Sequence, residues 1–232
     1  MGVRTLALAT AGGVLIGVGA AAMISAELGV TPWDVLTTAV SDRAGVTVGV
    51  AGAVLSIVVY AVCAPFGRLP GWGNLVLLVA VSGAVDAGLA LLDEPGTLAG
   101  RTVLYAVGVP VVCFGVALVV RADIGVGPLE MVMLVATDRG VPLVPARVVI
   151  EVTTLTVGWL LGGALGLGTA GFALAAGPLI AGSLRLLGGP PALARSRRSG
   201  VGGEELEALD GQVAQDGEAD GHRDADDQRP PG

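Results

Sequence analysis

Lysine is absent from this chain: all 13 of its cationic side chains are arginine. Histidine occurs once, as His222 in the acidic C-terminal stretch. That leaves the rest of the chain without a His/Cys metal site or a nucleophile–His–acid set, so the expected metal, cofactor and catalytic residues are none and the chain is not read as an enzyme. Aromatic residues make up 3% and no long basic run is present, which excludes a nucleic-acid reader built on a basic patch with stacking aromatics. Charged residues make up only 14% against 53% hydrophobic, with a mean hydropathy of +0.78, and this excludes an ordinary soluble domain. The two cysteines, Cys63 and Cys113, both lie in apolar segments and read as small packing residues rather than a disulfide or redox pair.

What is present is abundant Ala, Gly, Val and Leu, a composition that suits a GC-rich bacterial coding sequence. The net charge of −7 belongs to one end. Residues 199–232 hold ten acids and two arginines, whereas residues 1–198 hold ten acids and eleven arginines.

Six stretches are apolar enough to cross, or nearly cross, a bilayer of about 30 Å hydrocarbon thickness: 5–26, 46–64, 73–92, 102–121, 146–164 and 168–188. The first follows Arg4 and precedes small residues, as a signal peptide would. It is longer than a typical apolar signal core and has an internal counterpart near 101–122, so a retained helix is expected. Two shorter segments, 32–42 and 128–138, reach across only about half a membrane as helices.

The chain repeats itself. At an offset of 96, Ala21, Ala26, Gly29, Val30, Pro32, Asp42 and Arg43 meet Ala117, Ala122, Gly125, Val126, Pro128, Asp138 and Arg139. Glu27 and Asp34 meet Asp123 and Glu130. Beyond Ala44 the offset becomes 95, and Gly73 meets Gly168. Each unit, about 5–92 and 101–188, thus holds a long helix, a break, a short helix and two further helices. Three crossings per unit is an odd number, which inverts the second unit relative to the first. With the N-terminus inside, Arg4, Arg68, Arg121, Arg139, Arg147, Arg195, Arg197 and Arg198 are cytoplasmic, and only Arg43 and Arg101 are outside. The expected fold is therefore an all-α membrane protein of about six transmembrane helices, a 3+3 inverted repeat with two short broken-helix segments. Its membrane domain is residues 1–190. The rival is eight crossings with parallel repeats. Both termini are expected on the cytoplasmic side of the plasma membrane, followed at 191–232 by a disordered acidic tail behind an arginine anchor.

A repeated membrane unit with a Gly/Pro break in each copy points to a transporter-like binding site. Gly29 and Gly125 permit unusual backbone, and Pro32 and Pro128 suit the first turn of a new helix. Thr31 and Asp34 have the spacing of a capping box. Asp34 and Glu130 either cap the short helices or face one central cavity, where they would hold a cation, a proton or a polar substrate. Asp86 sits within the third long apolar stretch, where a carboxylate must be protonated, paired or wet, and is a further coupling candidate. Arg147 and Glu151 are spaced to pair on one helix face, as a structural ion pair or as a gate or anion contact. Arg185 is expected to snorkel, and Trp33 and Trp72 to sit at membrane interfaces. The Gly166–Gly171 run spells GxGxxG but follows no strand, so no dinucleotide is expected. Gly13/Gly17, Gly45/Gly49 and Gly158/Gly162 read as close-packing pairs.

The segments AELGVTPWDVL, ADIGVGPLEMV, PARVVIEVTTLTVGWLLGG and GTAGFALAAGPLIAGSLRLL together resemble the YitT/YczE family of bacterial integral membrane proteins. The resemblance covers about residues 10–190. It implies a multi-span inner-membrane protein for which transport or export is proposed, with Gly29, Pro32, Asp34, Gly125, Pro128, Glu130, Arg147 and Glu151 as signature positions. It supplies no substrate, and the second copy departs from the family's commoner Asp at Glu130. The leading expectation is a secondary transporter or exporter of a small polar or amphipathic molecule. The alternative is a non-transporting accessory protein that assembles with another membrane protein or enzyme. Expected partners are the lipid bilayer, a small-molecule substrate, a second copy of the chain, and no nucleic acid.

Overall fold

A computed structural model describes residues 2–163 and 165–187, all within one compact unit. Among them are eight α-helices and no strand: α1 (Val3–Ala26), α2 (Pro32–Ala44), α3 (Val48–Cys63), α4 (Trp72–Leu91), α5 (Leu98–Ala122), α6 (Pro128–Thr137), α7 (Leu143–Leu160) and α8 (Leu167–Leu186). A single 3-10 turn, Ala64–Phe66, extends α3. Six helices, all but α2 and α6, are long and apolar enough to cross a membrane. The tail expected at 191–232 lies outside the described residues.

Small residues decide the packing. Without a hydrophobic force between helices in lipid, close backbone approach supplies the contact energy. The central pair is α1 with α5. A Cβ on Gly12 would stand 2.8 Å from the Gly115 carbonyl oxygen, and one on Gly115 would stand 2.7 Å from that of Gly12. Further along, Gly19 meets the Gly108 carbonyl at 2.9 Å and Gly108 meets that of Gly19 at 3.0 Å. At the next level Glu27 pairs with Arg101 at 2.6 Å. Residue numbers rise along α1 as they fall along α5, so the two helices run antiparallel. Gly12 and Gly19 are the offset-96 mates of Gly108 and Gly115, and each glycine meets the mate of the other.

The flanking helices keep this exchange. Gly13 packs on Ala80, Gly17 on Ala84 and Gly88 on Ala21, so α4 runs parallel to α1. α5 packs on α8 as α1 packs on α4, and α2 packs on α7 as α6 packs on α3. Cys63 and Cys113 are free thiols within the core. Two expected packing pairs are corrected. Gly45 caps the end of α2 at φ +66° and Gly162 lies beyond α7 at φ +81°, so neither shares a helix with its partner at 49 or 158. Only Gly13/Gly17 is a helix-packing pair in the expected sense.

Candidate functional site

Each break begins with a residue in left-handed conformation. Glu27 and Asp123 both have φ 53°, and they are the two non-glycine residues with positive φ among the described residues. They close α1 and α5 as C-caps. An L-residue there is costly, and glycine is the usual occupant. The special backbone was expected at the two following glycines. Gly29 does adopt φ +133°, but Gly125 has no positive φ and is needed for space alone.

Each break is gripped by the other repeat. At the first, the Val30 N–H donates to Thr169 Oγ1 at 3.2 Å, and the Gly168 N–H donates to the Leu28 carbonyl at 2.8 Å. Tyr105 on α5 donates to the Gly168 carbonyl. A Cβ on Gly166 would collide with the Leu28 carbonyl. The GxGxxG run therefore serves close approach of α8's start to this break. At the second break, Asn74 Nδ2 donates to the Val126 carbonyl at 2.7 Å and Tyr60 donates to the same oxygen at 3.2 Å. A Cβ on Gly73 would collide with the Ile124 carbonyl, and one on Gly125 would stand 2.8 Å from the Asn74 nitrogen. Gly73 and Asn74 are the offset-95 mates of Gly168 and Thr169. The start of α4 clamps the second break as the start of α8 clamps the first.

These partners satisfy backbone groups that would otherwise be orphaned in a low-dielectric interior. They also separate the breaks. The first lies beside Arg101 at the start of α5, the second at the end of α5, and 25 residues of helix rise by about 37 Å. The two breaks are therefore not brought around one central cavity. One shallow apolar groove runs between α5 and α8 at Pro110, Phe114, Pro178 and Leu179.

The candidate side chains separate in the same way. Thr31 is the N-cap of α2, as its spacing predicts: it accepts the Asp34 N–H at 3.1 Å and donates its hydroxyl to Asp34 Oδ2 at 2.7 Å. Pro32 occupies the first turn. Asp34 is 8% exposed, the one buried acid among the described residues. Burial pushes its carboxyl up to about 6, against the opposing pull of the Thr31 hydroxyl and N–H. Its mate Glu130 is exposed. There Gly127 supplies no side-chain cap to α6, Pro128 starts the helix, and the Glu130 carboxylate folds back over Gly127.

Asp86 lies five residues from the end of α4 and caps α3: it accepts from the Thr47 hydroxyl at 2.6 Å and from the Gly49 N–H at 2.7 Å. That satisfies first-turn donors of α3. Arg147 and Glu151 pair at 2.9 Å on the outside of α7, with side chains 60% and 38% exposed. Sequence reasoning did not pair Arg68 with Asp138, which meet through two 2.7 Å hydrogen bonds, nor Arg139 with the Phe66 ring 4.4 Å away. The Arg68 guanidinium holds the Asp138 carboxyl below the usual carboxylate range. No group of three His, Cys, Asp or Glu among the described residues is placed to hold a metal ion.

Residues 3–184, the span that contains both breaks and both clamps, match a family of unknown function, DUF6198. The chain belongs to that family. It is 28% identical over 162 residues to an uncharacterized membrane protein of Bacillus subtilis, YczE, covering 68% of this chain and 75% of that one. It is also 27% identical over 167 residues to an uncharacterized protein of Haemophilus influenzae, covering 72% of this chain and 77% of that one. The resemblance to the YczE proteins is thereby met, and the chain is a multi-span membrane protein. No solved structure matches it.

Proposed function

We propose that this DUF6198 protein is a secondary transporter or exporter of a small polar or amphipathic molecule, built as an inverted 3+3 repeat in the plasma membrane. The observation that carries the reading is the reciprocal clamp. Two equivalent helix breaks sit at opposite ends of an antiparallel α1–α5 pair, and each is held by the other repeat. Such an arrangement gives two equivalent gates, one toward each membrane face, and opening one leaves the other shut. Arginine supports the orientation. Arg4, Arg68, Arg121, Arg139, Arg147 and Arg185 belong to the end where α1 starts and α5 finishes, and Arg43 and Arg101 to the other. The first end is then cytoplasmic.

Proteoliposomes loaded with ethidium, an amphipathic cation, test the gates. Paired cysteines at positions 30 and 169, or at 74 and 126, would lock one clamp on oxidation. Efflux should stop when either is locked and resume on reduction. Efflux that ignores both locks would sink the gate reading. Cysteines at Val46 and Val141, equivalent exposed positions, should label from opposite sides; labelling from one side would make the repeats parallel. The accessory role is the second reading, favoured by the hydrogen bonds that tie both breaks to the neighbouring helices and by the shallow, apolar groove between α5 and α8. No flux from vesicles, together with one partner co-purifying in fixed proportion, would establish it.

A further inference from the structure

We infer that Asp34 is a proton-binding site that controls the first break, so that protonation keeps the α2 start closed against α8 and ionisation opens it to water. Asp34 lies in the first turn after the break, and its carboxylate is buried with the Thr31 hydroxyl as its side-chain donor. No cation faces it. From the break itself comes Glu27, already paired with Arg101 of α5. The adjoining start of α8 brings Leu167, Gly168 and Thr169, all uncharged; α7 packs on α2 through Gly158, and its charged residues, Arg147 and Glu151, pair with each other on the outside of the helix. α3 packs on α2 and carries no charged residue. Asp42 and Arg43 stand at the far end of α2.

A carboxylate buried in this way is penalised in its charged form. The helix N-terminus and Thr31 offset part of that penalty. The remainder is relieved only by taking up a proton or by admitting water. Water reaches the carboxylate only if the break parts from the start of α8, where the Val30 N–H to Thr169 bond at 3.2 Å and the Gly168 N–H to Leu28 bond at 2.8 Å hold the two together. The sign follows from linkage: closure raises the affinity for the proton, so the proton favours closure, and the closed state is lost as pH rises through the raised value. Glu130 at the second break is exposed and cannot make the same switch. As coupling chemistry this deepens the transporter reading and rests on it. As a proton site it stands alone, so its test reads conformation rather than flux.

Hydrogen exchange on the full chain in lipid nanodiscs, corrected for intrinsic rates, provides that test. Peptides over residues 27–38 should exchange about tenfold faster near pH ~8 than near pH ~5. Peptides over 123–134 should show no such difference. Asp34→Asn should hold the first break at its slow rate at both values, and Glu27→Gln should leave the response intact. A wild-type protein with equal exchange at both values overturns the inference without any variant. So does a response that survives Asp34→Asn or disappears in Glu27→Gln.

Discussion

The two helix breaks have equivalent backbones and unequal chemistry. Both open with an acid at φ 53°, both place proline in the first turn of the next helix, and both are clamped by the fourth helix of the opposite repeat. The first carries Thr31 and a buried Asp34; the second carries Gly127 and an exposed Glu130. At the first clamp one threonine oxygen accepts a lone N–H, whereas at the second two side chains donate to a single carbonyl. Two segments can thus share the geometry that packing demands while their titratable groups differ in burial. Backbone approach is dictated by the partner repeat, but a carboxylate needs only a local change of burial to gain or lose a role.

The largest effect is expected from blocking a clamp sterically. Gly73→Ala should be the most damaging single change, because its Cβ would collide with the Ile124 carbonyl, and overpacking of this kind costs on the order of 1–3 kcal/mol or more. Gly83→Ala, in the same helix with nothing within 4 Å, should be neutral or slightly stabilising. Thermal unfolding in detergent separates them, and equal losses would refute the tight approach. A smaller effect is expected from the hydrogen bonds. Thr169→Val leaves the Val30 N–H without its side-chain acceptor and should cost about 1–3 kcal/mol. Tyr60→Phe leaves Asn74 on the Val126 carbonyl and should cost less than about 1 kcal/mol. If Tyr60→Phe proves the costlier, the two clamps have been ranked in the wrong order.

The acids of the two breaks should differ in their response to pH. In a stability profile between about pH 5 and about pH 8, Asp34→Asn should flatten the wild-type slope and Glu130→Gln should leave it alone. The reverse outcome would move the switch to the second break. The smallest effect is expected at Asp138. Its carboxyl is depressed by Arg68, so the pair contributes above the ordinary carboxylate range and is lost only as pH falls through the lowered value. Asp138→Asn should therefore lower stability slightly, and by the same amount across that window, in keeping with a solvent-screened pair. A pH-dependent loss there would contradict the bidentate geometry.

Much of the fold was legible in the residues. The apolar stretches fall within a few positions of the six long helices, and Pro32 and Pro128 mark the starts of α2 and α6. The Thr31–Asp34 spacing foretold a cap that is present. The signal for the central α1–α5 seam was also there, as Gly12 and Gly19 recurring at Gly108 and Gly115, but it reads as ordinary glycine in a glycine-rich chain until the helices are paired. Asp86 reads as an isolated mid-span charge until α3 is seen to start beside it.

From the residues alone come the membrane class, the six long helices to within a few positions, and the places where the helices break. Those depend on local hydrophobic length and on the backbone preferences of glycine and proline, and both are read residue by residue. Tertiary structure alone decided that the start of α8 holds the first break and the start of α4 the second, and that Asp34 is buried while Glu130 is not. Those properties depend on which backbones approach across about a hundred residues of chain. Only the packed helices bring Thr169 to Val30, and Asn74 to Val126.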